Sequence, residues 1–209
     1  MKLASNSFSD GQKIPAEFVF GIPDPDQHVA LGKNRNPHLA WGDVPEGTRS
    51  FVLLCVDLDV PSKGDDVNRE GRTVPADLPR VDFFHWVLID LPPQITSIAE
   101  GAFSDQVVPR GKPGPAAAHG ARQGINNYTQ WFDGDQDMRG DYFGYDGPCP
   151  PWNDSIPHRY LFSVYALDIE RLPVEGRFSG KEVREAMEGH ILAQANLSVR
   201  YSLNPEVVL

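Results

Sequence analysis

Residues 51–61 read Phe51-Val52-Leu53-Leu54-Cys55-Val56-Asp57-Leu58-Asp59-Val60-Pro61. The near-continuous apolar run is the signature of a strand covered on both faces. It ends toward Pro61, because proline cannot donate to a strand ladder. Asp57 and Asp59 stand two apart, so an extended backbone directs both to one face. Two carboxylates leaving a core strand must find partners or stay in water. Either one caps a turn and the other pairs with an arginine, or both belong to a site.

Two other stretches have the same character. Phe83-Phe84-His85-Trp86-Val87-Leu88-Ile89 is a buried strand stopped by Pro92-Pro93, and His158–Asp168 is rich in the aromatic and branched residues that strands favour. Residues 16–21 read as a first strand ending at Gly21, and Leu39-Ala40-Trp41 as a short one. Residues 62–80 form a charged, exposed loop. Residues 109–150 hold no long periodic segment, and structured loops of such length are usually functional. One helix is well signalled: Ser179 at the N-cap, Glu182 three residues on, and Phe178 and Val183 at the staple positions. Its face continues through Met187, Ile191 and Gln194, with Gly189 interrupting it. Residues 197–203 alternate and read as a short final strand or extended tail. The expected fold is mainly β: an antiparallel, sandwich-like core with a C-terminal helix at its side.

Composition narrows the function. The 209 residues suit one domain, taken as 1–209. The 19 glycines and 19 prolines follow no repeat, and they disfavour a helix bundle. A net charge of −10 repels nucleic-acid backbones and anionic lipid surfaces, but a small anionic ligand is compatible with it. Two cysteines make no disulfide framework; Cys55 reads as a buried thiol, and Cys149, among prolines, as either exposed or packed. No apolar stretch reaches signal-peptide or membrane-span length, so a cytoplasmic protein without integral membrane association is expected. HExxH, P-loop, GxGxxG and GxSxG motifs are absent, as is any Cys/His cluster. Asp133-Gly134-Asp135-Gln136-Asp137 imitates a calcium loop, but Met138 and Gly144 replace the glycine and glutamate such a loop needs. No metal, cofactor or catalytic residue is expected.

His85, inside its apolar strand, is by itself more readily a core histidine than a ligand contact. His158 and Tyr160 share one side of the third strand. Gly147-Pro148-Cys149-Pro150-Pro151 just before them is stiff and poor in donors; it reads equally as a pocket wall or a plain rigid turn.

Three ordered blocks resemble the phosphatidylethanolamine-binding protein family, the Raf-kinase-inhibitor-like proteins, and in particular its bacterial and archaeal branch. They are Asn36-Pro37-His38-Leu39-Ala40-Trp41 running on through Val44–Ser50 to Asp57–Ser62; His85-Trp86-Val87 with Ile89 and Leu91-Pro92; and Tyr145–Pro151 with His158-Arg159-Tyr160 and Tyr165–Asp168. The resemblance covers residues 8 to 203. It implies a small anion pocket lined by Asp57, Asp59, His85, Gly147, Pro148, His158 and Tyr160, with Pro61 at the rim. It further implies phosphate or a phosphoethanolamine-type headgroup as ligand, with both histidines donating to it and the carboxylates as orienters. Leu58 departs from the family's acidic motif, which has proline there, and the connection at 109–144 is long. That insertion is expected to wall the pocket or cover a subunit interface, with Trp131 and Phe132 buried. The expectation is a non-enzymatic binding protein for small phosphorylated or other anionic ligands, regulating a protein partner and forming a homodimer. The alternatives are an Asp/His hydrolase or lyase, and an interaction module with a vestigial pocket.

Overall fold

The computed structural model describes residues Met1–Leu209. Its strands are β1 (Lys2–Ala4), β2 (Gly21–Asp24), β3 (His28–Leu31), β4 (Leu39–Gly42), β5 (Ser50–Pro61), β6 (Arg80–Leu91), β7 (Ser97–Ile98), β8 (Arg122–Gln123), β9 (His158–Leu167) and β10 (Ile191–Tyr201). Two short helices, α1 (Tyr128–Trp131) and α2 (Gly180–Ala186), complete the regular structure. The apolar run at 51–56 is the middle of a five-stranded antiparallel sheet in the order β10-β9-β5-β6-β8. A three-stranded sheet, β1-β4-β7, and a β2-β3 hairpin accompany it.

Both faces of the large sheet are covered. On one, Phe51, Leu53 and Cys55 join Trp86, Leu88, Phe162 and Val164 in the main core, which also takes Leu39 and Trp41 from β4. On the other, Val52, Leu54 and Val56 pack with Val87, Ile89, Phe178 and Val183 beneath α2. A strand between two apolar layers has no wet face, which is why residues 51–56 do not alternate. The mainly β, antiparallel reading therefore holds. No helix is long and apolar enough to cross a membrane.

Three local expectations are corrected. Residues 16–21 are not a strand: after Pro15, Ala16–Phe18 form a single 3-10 turn, and β2 begins only at Gly21. Proline's fixed φ suits such a turn, and the carbonyls of Val19 and Phe20 bond to Asn34 and Gly32 rather than to a sheet. The helix stops at Ala186 instead of running on to Ile191 and Gln194. Gly189 takes φ +82°, a left-handed conformation that ends the helical path. The chain after it is a strand, one of the two readings of residues 197–203, but it starts earlier, at Ile191, and runs for eleven residues, with Ala195, Leu197, Val199 and Tyr201 buried at a period of two. The helix is thus flanked by strands rather than terminal.

The start of α2 is as the sequence requires. The Ser179 side chain accepts from the Glu182 amide, and the Glu182 carboxylate accepts from the Ser179 amide at 2.8 Å. Replacing Ser179 by alanine removes one arm of this box and is expected to cost about 1 kcal/mol in urea unfolding; an unchanged midpoint would show that packing of Phe178 and Val183 alone sets the helix start.

Candidate functional site

At the end of the sheet where Asp57 emerges, β5 and β6 lose register. Cys55 pairs with Trp86 and Val56 with Phe84, so His85 is the extra residue of a β-bulge. The bulge turns His85 to the face that carries Asp57 and Tyr160, although Phe84 and Val87 on either side of the His85-Trp86 pair go to the opposite layer. Bulges commonly re-aim one side chain in this manner beside functional sites.

A cavity of about 350 Å³ opens there. Asp57, Pro61, His85 and His158 line it, together with Gly64, Val67 and Asn68 from the 62–80 loop and Cys149, Pro150 and Pro151. Phe20, Phe83, Tyr128, Trp131 and Phe132 supply aromatic walls. Asp59, Gly147, Pro148 and Tyr160 are not in the lining; they stand behind it. Asp59 is held bidentately by Arg159, at 2.9 and 2.8 Å. Gly147 donates its amide to Asn34 and accepts from the Tyr128 hydroxyl. The Pro148 carbonyl accepts from the amides of Phe20 and Gly21. Tyr160 is fully buried, and its hydroxyl makes no hydrogen bond.

The two histidines are chemically different. His158 Nδ1 lies 2.7 Å from Asp57 Oδ2, and Nε2 lies 3.0 Å from Asp154 Oδ2. Carboxylates only accept, so both nitrogens carry protons and the ring is an imidazolium. Burial pulls its pKa down, but the two carboxylates outweigh that and raise it to about 9. The expected donation from His158 to a ligand is therefore not available in this arrangement, because both of its N–H groups are spent.

His85 is the opposite case. Its Nδ1 is 2.7 Å from the carbonyl of Asp146, which fixes the proton on Nδ1. Burial lowers its pKa despite the nearby charges of Asp57 and Asp146. The neutral ring then presents a bare Nε2 that has no hydrogen bond to any protein group. Besides the Tyr160 hydroxyl, two donors at the lining itself are without protein partners. One is the Asn68 side-chain amide at the exposed rim; the other is the Cys149 backbone amide, the one N–H in 147–151 not already engaged. The Cys149 thiol is no nucleophile, since burial pushes it up to about 12.

Charges around the cavity cancel. Asp57 pairs with His158, Asp59 with Arg159, Asp146 with Lys112, and Asp154 with Arg80. Two of these pairs, Asp146 with Lys112 and Asp154 with Arg80, lie outside the set expected from the sequence. Lys112, from the insertion, also donates to the Tyr145 carbonyl, and Asn34 and Asn126 complete the shell of Asp146 at 2.7 Å each. Asp154 links His158 to Arg80, which itself donates to the Asp59 carbonyl. No cluster of His, Cys, Asp or Glu is arranged to hold a metal.

The insertion does wall the cavity, through α1, but not by burying both aromatics as expected. Trp131 is 54% exposed. Phe132 is half-buried, stacked on Tyr128 at 5.5 Å. The four residues of α1 are too few to hide an indole at their end.

The His158 clamp has a measurable consequence. Its folded pKa, about 9, lies above the ordinary 6.5, so its contribution is complete below pH 6.5 and is lost as pH rises through 9. Asp59 and Asp154 act in the reverse sense. Burial alone would raise them, but Arg159 holds the first, and His158 and Arg80 the second, below the ordinary 3.8, so their contributions disappear on acidification. Urea midpoints should decline between pH 6.5 and 9.5 in the parent protein and much less in His158→Gln. Equal declines in both would contradict the imidazolium assignment.

Comparison with known proteins adds an independent line. The phosphatidylethanolamine-binding protein family model matches residues 4–202. The protein YbhB of Escherichia coli is 34% identical over 202 residues, covering 97% of this chain and all of that one. A relative from Aquifex aeolicus is 33% identical over 94% of this chain and 85% of its own. Among solved structures, a phosphatidylethanolamine-binding protein homolog of Chlamydia trachomatis is similar with a TM-score of 0.63 at 30% identity, covering 96% of each chain. E. coli YbcL, described as a member of the mammalian family, reaches 0.66 at 26% identity over 96% of this chain and 97% of its own.

Proposed function

This chain belongs to the phosphatidylethanolamine-binding protein family, and from that premise we propose that it is a binding protein for a small phosphorylated or similar anionic ligand anchored by His85. The observation that carries the reading is the bare Nε2 of a neutral, buried His85 at the floor of an otherwise charge-balanced cavity. A bare imidazole nitrogen accepts and does not donate. An oxyanion therefore docks there only with a proton, brought by the ligand or taken up by the ring. The groups facing His85 are Asp57, Asp146 and His158, with Tyr128, Tyr160 and Phe83 in ring contact. Asp57 and Asp146 already have cations, so a protonated His85 on an anion adds a charge pair without stranding one.

The same arrangement speaks against acid–base catalysis by the Asp/His set. Asp59 is consumed by Arg159, and His158 has no free nitrogen. That leaves His85 alone, without an activated nucleophile beside it.

Calorimetric titration with inorganic phosphate and with phosphoethanolamine tests the proposal. Phosphoethanolamine is a monoester, with a second pKa of about 6. Above it the dianion holds no phosphate proton, so carrying one into the complex should weaken its binding roughly tenfold per pH unit between pH 7 and 9, whereas inorganic phosphate keeps a P–OH donor over this range and should weaken less. His85→Gln should lose at least about tenfold of the affinity, the scale of one charge-assisted hydrogen bond. Binding that ignores pH and survives His85→Gln would overturn the reading.

A further inference from the structure

The cavity is larger than an oxyanion alone requires. About 350 Å³ lies at the low end of the range that holds small organic ligands. Away from His85 and the clamped His158, the surface is mostly carbon. Phe20, Tyr128 and Phe132 form one stacked set, with neighbouring ring centroids 4.6 and 5.5 Å apart and near-parallel planes. Beside them Trp131 lines the cavity while remaining 54% exposed, on a helix contributed by the long 109–144 connection. No lysine or arginine lines this space, so a second phosphate group would find no cation.

We propose that the ligand carries its single anionic group on a flat aromatic ring, which rests against Trp131 while the oxyanion reaches His85. This rests on the reading that His85 anchors an oxyanion, and it names the chemistry of the ligand's other end. Aromatic walls reward a planar partner by stacking, beyond the area that any apolar chain would bury. Trp131 is then a specificity-determining residue: it is exposed, so its removal leaves the fold intact, and it belongs to the same cavity as the anchor.

The test compares phenyl phosphate, n-hexyl phosphate and inorganic phosphate by calorimetry on the full chain and on Trp131→Ala. Phenyl phosphate is expected to bind at least tenfold more tightly than inorganic phosphate and more tightly than hexyl phosphate. Trp131→Ala should weaken phenyl phosphate roughly three- to tenfold, the range of one aromatic pair, and leave inorganic phosphate unchanged. Equal binding of phenyl and inorganic phosphate, or a hexyl ester as tight as phenyl, overturns the aromatic proposal and leaves the oxyanion site standing. A Trp131→Ala loss shared by all three overturns it too. Binding of none of them removes the His85 reading itself, and this inference with it.

Discussion

A buried imidazolium held between two carboxylates is the interaction on which the site depends. His158 opens β9, Asp57 sits in β5, Asp154 belongs to the connection before β9, and Arg80 begins β6. The row Asp57–His158–Asp154–Arg80 thus ties three neighbouring strands to the loop that follows the proline segment. Removing one member would strand a buried charge, which is far costlier than the net worth of the pair. Because the row is electrically complete, it gives the cavity shape and leaves no charge for a ligand. Chemistry at the opening therefore falls to the one imidazole that the row does not use.

That group, His85, is aimed by backbone geometry rather than by its position in a repeating pattern. A regular strand would send His85 to the layer of Val87 and Ile89. The bulge opposite Cys55 sends it the other way, and the Asp146 carbonyl then fixes which nitrogen carries the proton. Asp146 is itself held by Asn34, from far earlier in the chain, and by Lys112 and Asn126 of the insertion. The insertion thus serves twice: Lys112 steadies the floor, and Trp131 and Phe132 shape the mouth.

The sequence made the sheet legible because its central strands are buried on both sides. Residues 51–56 and 83–89, and most of 158–167, are apolar for a reason that survives any detail of packing. The helix start was legible because capping is local. Its end was not, since Gly189 and the period-two burial of Ala195, Leu197, Val199 and Tyr201 compete with a helical face that also fits; pairing with β9 decides it. Asp57, His85 and His158 line one cavity, but what each side chain does there is not legible from its spacing. Whether a histidine donates, accepts or is already spent depends on partners distant in sequence, such as Asp154 and the Asp146 carbonyl, which nothing in the spacing marks. Trp131 misled for a similar reason: an aromatic in a loop signals contact with something, and here that contact is with the cavity rather than the core.

The most direct test is nitrogen NMR of the histidine side chains, with and without saturating phosphate. In the free protein His158 should carry protons on both nitrogens at pH 7.5, and His85 on Nδ1 alone. On saturation the His85 Nε2 resonance should move to that of a protonated or strongly hydrogen-bonded nitrogen, with His158 unmoved. A His85 Nε2 signal that stays that of a bare nitrogen while phosphate is bound elsewhere would contradict the account.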